Sequence, residues 1–277
     1  MIQTICICGA GTMGRSIAQS MSSKGFATIL FDLHPEVLEQ AEAFISAERS
    51  AASARGITLS GNAPEYTTTI HKFPADLFIE AIVEDADAKI KLYRQILQAW
   101  PNARIASNTS SLSISELAEA VTDPGLFAGM HFFNPAHKMK LVELIAGKKT
   151  SPAFMDELHT LTLQLNKIPV RCTDAPGFIV NRVARPYYLE ALQLAETTSI
   201  PLHRIDDLME QTGFRMGPFR LMDLIGNDIN FTVSCSVWEA LHRPPRLQPS
   251  ALQQQLVKEG RLGRKSGHGY YDYDNPQ

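Results

Sequence analysis

The chain has 277 residues, of which 44% are hydrophobic and 20% charged, with a formal net charge of −3. That length accommodates roughly two domains, and the near balance of charge gives no reason to expect a nucleic-acid partner. No segment approaches the ~18 unbroken apolar residues of a membrane span, and an apolar run beginning at the second residue leaves no room for a cleaved leader, so a cytoplasmic protein without a membrane partner is expected.

Residues 5–14 read ICICGAGTMG, an apolar run that breaks into Gly9, Gly11 and Gly14. In a strand, turn and helix with this spacing, the first glycine permits a tight turn and the second lets backbone approach a pyrophosphate. The third lets the helix pack on the strand, and the N–H groups at the helix start face the phosphates. Gly9, Gly11, Thr12, Met13 and Gly14 are assigned to this dinucleotide-binding turn. Met13, Ile17 and Met21 then form a helical stripe that stops near Gly25, and a second apolar run over 27–31 leads to Asp32. An acid at that strand end accepts the ribose hydroxyls of NAD and repels the 2′-phosphate of NADP. Leu33, His34 and Pro35 supply no cation to reverse the preference, so NAD is the expected cofactor. An aspartate that only caps the Pro-Glu helix start is the alternative, and it leaves the glycines unexplained.

A helix is predicted over 35–55, followed by a polar piece with Gly61 and Pro64, a strand over 76–83, a helix over 86–100 and a short buried strand over 103–107. Ser113 with Glu116 makes a capping-box pattern for a helix reaching about residue 121. Two further strands are predicted over 127–133 and 140–145. Repeated βα units specify an α/β fold with a Rossmann-type, doubly wound parallel sheet. After Asp174-Ala175-Pro176-Gly177 the pattern turns helical, with the sets Ile179, Val183, Leu189, Leu192 and Leu202, Ile205, Leu208, Met209. The expected organisation is an NAD-binding domain over 1–176 and an all-α C-terminal domain over 177–277. Several stripes are too wide for one helix face, which points to burial in a homodimer; a large single-chain core gives the same pattern. Cys6, Cys8, Cys172 and Cys235 lack zinc-ligand spacing, so reduced thiols and no metal are expected.

Between Met130 and Gly147 the chain reads HFFNPAHKMKLVELIAG. If two strands reverse about residue 137, His131 and Glu143 fall opposite each other. A glutamate bonded to one ring nitrogen fixes the tautomer and raises the basicity of the other, which suits a general base. A histidine that merely satisfies a core position is the alternative, and the carboxylate and nearby NAD turn argue against it. The run Ser107-Asn108-Thr109-Ser110-Ser111 follows a strand, which places hydroxyls at the carboxyl edge of the sheet, where ligands bind in such folds. Ser111 or Ser113 serves as a helix cap, leaving Ser110 outside that role.

With these residues in view, the chain resembles the L-3-hydroxyacyl-CoA dehydrogenase family over nearly its whole length. GAGTMG, IEAIVE, SNTSSL, HFFNPxxxMKLVE, PGFIVNR, MGPF and GRLGRKSGHGYYDY stand in the family's order. VNRVARPYY, LIGNDINFTVSCSVW and RLGRKSGHGYYDY are similar to the bacterial 3-hydroxyadipyl-CoA and 3-hydroxybutyryl-CoA dehydrogenases, including those of phenylacetate breakdown. The resemblance implies an acyl-CoA substrate and reversible oxidation of a 3-hydroxyacyl-CoA to the 3-oxoacyl-CoA. It implies His131 as general base with Glu143 as its partner, and Ser110 and Asn181 as hydrogen-bonding groups for substrate oxygens. Asn134 matches a position near cofactor and substrate, Glu84 and Lys89 match contacts to the nicotinamide-side ribose, and Lys265 matches a lysine near NAD. For Lys89 and Lys265 a solvated surface charge is the alternative.

The chain departs from the family between Arg49 and Lys72, where a long CoA-contacting helical hairpin is replaced by a short segment with only Arg55 and His71 as basic groups. His137, Lys138, Lys140, Arg215 and Arg220 bring positive charge elsewhere; reception of CoA phosphates or a terminal carboxylate is one reading, and ordinary salt bridging the other. Two alternatives share the overall pattern. One is a dehydrogenase of the same fold acting on a free hydroxy acid, consistent with the short segment. The other is an NAD-binding protein without turnover, whose mark would be a broken His-Glu pair; both residues are present.

Overall fold

Apolar runs without polar alternation form strands buried on both faces, and such runs build the first part of the molecule. The structure, a computed structural model, describes residues 2–274 and comprises two units, Met1–Ala175 and Pro176–Gln277. In the first, β1 (Thr4–Cys8), α1 (Thr12–Ser22), β2 (Ala27–Phe31), α2 (Pro35–Ala54) and β3 (Glu65–Thr67) are followed by β4 (Leu77–Glu80) and α3 (Ala86–Ala99). β5 (Ile105–Ser107), α4 (Ile114–Leu117), β6 (Phe127–Phe132), β7 (Leu141–Ala146), α5 (Pro152–Gln164) and β8 (Ile168–Thr173) complete it.

The strands form one sheet of order β3-β2-β1-β4-β5-β6-β7-β8. All neighbours are parallel except β6 and β7, which run antiparallel. The antiparallel pair is the strand reversal about residue 137 that the sequence suggested. Only residues 133–140 join these two strands, too few for the crossover that a parallel pair needs. Ile5, Ile7, Leu30, Leu77 and Ile79 of the central strands are fully buried against Ile17, Met21, Ala41, Ile45 and Leu158 of the helices. Each large aliphatic side chain so removed from water contributes roughly 1.5–3 kcal/mol. Cys6 and Cys8 are buried in β1, and all four cysteines are unpaired with one another.

The second unit contains α6 (Val180–Thr197), α7 (Leu202–Gln211), α8 (Pro218–Ile225), α9 (Asn227–Ala240) and α10 (Ala251–Lys258). Its core gathers Tyr188, Leu189, Leu192, Ile205, Phe219, Met222 and Val237. The wide stripes read from the sequence split in two: Leu189, Leu192 and Ile205 are buried, whereas Ile179, Val183 and Leu208 are exposed. Buried Asp223 receives the Tyr270 and Tyr271 N–H groups, the Tyr273 hydroxyl and the Asn227 amide. That carboxylate fastens the GHGYYDY segment to α8, which gives the motif a structural role. Gly263 and Gly269 pass so close to Asp223 that a Cβ on either would overlap it.

Candidate active site

At the glycine turn, the Gly9 backbone has φ +101°, a conformation that favours glycine. A Cβ on Gly14 would fall 1.7 Å from the Gly9 carbonyl oxygen, so only glycine permits that helix to meet the turn. Gly11 has open space where its Cβ would be, and it starts α1 without a side-chain cap. Its backbone can therefore be approached closely, and the first N–H groups of α1 remain available to an anion. Asp32 stands just past β2; its Oδ2 accepts the Ala10 N–H at 2.8 Å and its Oδ1 the His34 N–H at 3.0 Å. Two bonds leave acceptor capacity on a carboxylate with about four lone-pair sites. An open glycine, an uncapped helix start and a fixed acid fit a dinucleotide whose pyrophosphate meets α1 and whose ribose meets Asp32.

Next along the sheet, β4 ends in Glu80, a fully buried carboxylate within an otherwise apolar strand. Isolated burial of a charge is costly, and this one is compensated four times. Lys89 donates to Glu80 Oε1 and Ile82 N–H donates to the same oxygen at 2.9 Å, while the Tyr93 and Ser107 hydroxyls donate to Oε2 at 2.8 and 2.7 Å. The Lys89 ammonium also lies 3.3 Å from Glu84 Oε2. Lys89 is 1% exposed, so it is not the solvated surface charge of the alternative reading.

The serine turn winds around Glu84. Oε1 of Glu84 accepts the Thr109 hydroxyl at 2.7 Å, the Ser110 N–H at 2.7 Å, and the Ser111 N–H and hydroxyl at 3.0 and 3.1 Å. Burial by itself would raise the carboxyl, but Lys89 and these donors outweigh it and hold Glu84 below the usual carboxylate range. On the far side of the turn, Ser113 caps α4 by accepting the Glu116 N–H at 3.2 Å. Asp174 adds a second cap, accepting from the Ser113 hydroxyl and the Ile114 and Ser115 N–H groups at 2.8, 3.0 and 2.7 Å. The side-chain oxygen of Asn108 takes the Phe132 N–H at 2.8 Å and ties β5 to β6. Ser110 is thus held from both ends. Glu80, Asn108 and Asp174 are supports that sequence reasoning missed. The one available signal was the lone acid in the apolar run LFIE.

His131 and Glu143 are register partners across β6 and β7. His131 Nδ1 lies 2.8 Å from Glu143 Oε2, with the two residues 5% and 1% exposed. A carboxylate only accepts, so Nδ1 carries the proton of the bond and Nε2 is the basic nitrogen. The Phe133 ring packs 4.6 Å from the imidazole, centroid to centroid. Gly129, two residues before His131, leaves room for Ile145, which a Cβ would meet at 2.8 Å. Asn134 follows in the exposed turn, before a cis peptide to Pro135.

His137 Nδ1 is 2.8 Å from the Ser16 hydroxyl and its Nε2 3.4 Å from Glu48, while the Lys138 ammonium is 3.8 Å from the same carboxylate. Arg220 is surrounded by Asp206, Asp207 and Glu210, and Arg215 is exposed. For Lys138 and Arg220 the salt-bridge reading prevails over anion reception, while burial lowers the His137 imidazole and disfavours its charged form. In the second unit Lys265 pairs with Asp228 at 2.6 Å at the surface, and Asn181 lies in the first turn of α6, its carbonyl accepting the Arg185 Nε–H at 3.1 Å. Arg49 spans the shortened segment by donating to the Gly61 and Asn62 carbonyls.

Comparison with known proteins adds the family. Residues 4–175 match the family model described as 3-hydroxyacyl-CoA dehydrogenase, NAD binding domain, and residues 177–273 match that of the C-terminal domain. The chain is 44% identical to the 3-hydroxyadipyl-CoA dehydrogenase of Escherichia coli, over 98% of its own length and 59% of that protein. It is 35% identical to the mitochondrial hydroxyacyl-coenzyme A dehydrogenase of Sus scrofa, over 99% of its length and 92% of that protein. Among solved structures, 3-hydroxybutyryl-CoA dehydrogenase from E. coli superposes with a TM-score of 0.94 at 42% identity, covering all of this chain and 61% of that one. The (S)-3-hydroxybutyryl-CoA dehydrogenase of Ralstonia eutropha gives 0.92 at 32% identity, covering 99% of this chain and 100% of that one. The chain thus spans about three fifths of its E. coli relatives. With both domain models matched in order across almost its full length, the chain belongs to the 3-hydroxyacyl-CoA dehydrogenase family.

Proposed function

We propose that this chain catalyses the reversible, NAD-dependent oxidation of a (S)-3-hydroxyacyl-CoA to the 3-oxoacyl-CoA. The observation that carries the reading is the buried His131–Glu143 pair at 2.8 Å, in a unit whose glycine turn and Asp32 suit NAD. Bound NAD supplies the hydride acceptor. Nε2 of His131 takes the hydroxyl proton as the carbonyl forms, and Glu143 holds the ring orientation and steadies the imidazolium that results. In the reverse direction the same nitrogen returns the proton to the forming alkoxide. Ser110 and, from the second unit, Asn181 are assigned hydrogen bonds to substrate oxygens, which orient C3 and polarise its oxygen. Glu84 and Asn134 are assigned to the cofactor side, with Gly9, Gly11, Thr12, Met13, Gly14 and Asp32. Lys89 is assigned to the cofactor side together with Glu84, beside which its ammonium is held. Lys265 is the remaining cofactor-side assignment, carried by motif alone.

The names of two E. coli relatives support a 3-hydroxyadipyl or 3-hydroxybutyryl thioester as substrate. The exposed apolar side chains Val183, Leu208 and Ile229 of the second unit support a homodimer. Among the described residues no helix is long and apolar enough to cross a membrane; the four unpaired thiols support a reducing compartment such as the cytoplasm. NADH formation followed with these thioesters and with free 3-hydroxy acids tests the reaction. Turnover of thioesters, with NAD ahead of NADP, is expected; turnover of the free acids alone would move the chain to the alternative reading.

A further inference from the structure

Of the positive groups nominated by the sequence to receive an anion, Lys138 and Arg220 face carboxylates and Lys140 and Arg215 are exposed to solvent, whereas Arg185 in α6 is a buried cation. Arg185 is 3% exposed. Among the described residues its guanidinium donates only to neutral acceptors: Nε to the Asn181 carbonyl at 3.1 Å, and Nη1 to the Asn230 carbonyl and the Ser234 hydroxyl at 2.9 and 2.8 Å. The Tyr188 ring lies 5.0 Å from the guanidinium carbon and adds a cation–π contact. Among the described residues no carboxylate lies within ion-pair distance, and no acceptor engages Nη2. Burial pushes the group down to about 10, with the Tyr188 side chain opposing, so it remains a cation at neutral pH. A buried guanidinium is normally matched by an anion, and its planar fork suits a carboxylate.

Position gives that charge a direction. Arg185 follows Asn181 by four residues, which places both on one face of α6 with a rise of about 6 Å between them. In an acyl chain ending in a carboxylate at C6, the acid lies three carbon–carbon bonds beyond C3, each ~1.5 Å. A chain whose C3 oxygen meets Asn181 therefore carries its terminal acid to about the next turn of the same helix. We infer that Arg185 is a specificity-determining residue that receives the terminal carboxylate of a dicarboxylic 3-hydroxyacyl-CoA, through the guanidinium nitrogen that no protein group occupies. The inference rests on the reaction proposed above and on the Asn181 assignment.

Two thioesters of equal length, 3-hydroxyadipyl-CoA and 3-hydroxyhexanoyl-CoA, separate charge recognition from chain length. The wild-type protein is expected to favour the adipyl thioester by at least about tenfold in kcat/KM, the scale of one charge-assisted hydrogen bond. In Arg185→Leu that ratio falls to about one, and in Arg185→Lys, which keeps the charge and loses the fork, it is intermediate. A purely structural arginine would lower both substrates together and leave the ratio intact. A ratio near one in the wild type, or an undiminished ratio in either variant, overturns the assignment. Should Arg185→Leu not fold, judged by circular dichroism, the wild-type and Arg185→Lys ratios decide. Failure of the wild-type protein to oxidise either thioester overturns the proposed reaction, and the assignment with it.

Discussion

His131 and Glu143 are twelve residues apart in sequence and meet because β6 and β7 reverse direction between them, in a register that sets one directly opposite the other. A slip of one residue in that register would turn one of the side chains to the other face of the sheet. The local reversal therefore creates the pair.

That pair predicts unequal losses. In His131→Ala the general base is gone, and kcat should fall by roughly 10²- to 10⁴-fold with little change in NAD affinity. In Glu143→Gln the ring stays but loses the partner that fixes its tautomer, so kcat should fall while KM changes less. Steady-state kinetics with NADH formation as the readout check both; near wild-type turnover in His131→Ala would remove it from the mechanism.

The two alanine variants of the glycine turn should separate binding from folding. Gly11→Ala places its methyl in open space, so Tm should hold while Kd for NAD rises by an order of magnitude or more as the methyl blocks the pyrophosphate. Gly14→Ala drives a methyl into the Gly9 carbonyl oxygen. Both Tm and NAD binding should then suffer, with a stability loss of several kcal/mol, the scale of backbone-shifting core substitutions. Thermal unfolding and fluorescence titration with NADH distinguish the two.

Glu84 predicts a pH dependence of stability. Its carboxyl is held below the ordinary value in the folded chain, so folding favours the ionised form. The contribution is fully present above the ordinary carboxylate range and is lost as pH falls through the folded value. Replacing it by Glu84→Gln should lower Tm at neutral pH and make progressively less difference as the medium is acidified. Equal differences in Tm at neutral and acid pH would argue against the charge as the source.

Much of the first unit was legible because its signals are local. The glycines of the turn, the acid after β2 and the apolar runs of β1, β2, β4, β5 and β6 each follow from period, spacing or backbone geometry. β3 and β8 were not specified, and they are the two edges of the sheet. β3 has three residues, and β8 is half exposed and carries Pro169. Edge strands need neither length nor continuous apolarity, so the periodic signal is weak there.

The sequence by itself determined the βα alternation, the nucleotide turn and even the His131–Glu143 pairing, since hydrophobic period and glycine placement act over a few neighbouring residues. Only the tertiary structure decided that Lys89 is buried between Glu80 and Glu84, that Asp174 caps the helix after the serine turn, and that Arg185 lacks an anion where Arg220 has three. The identity of a charged residue does not encode its partner: the energy of a buried charge depends on which groups distant in the chain are brought within a few ångströms of it.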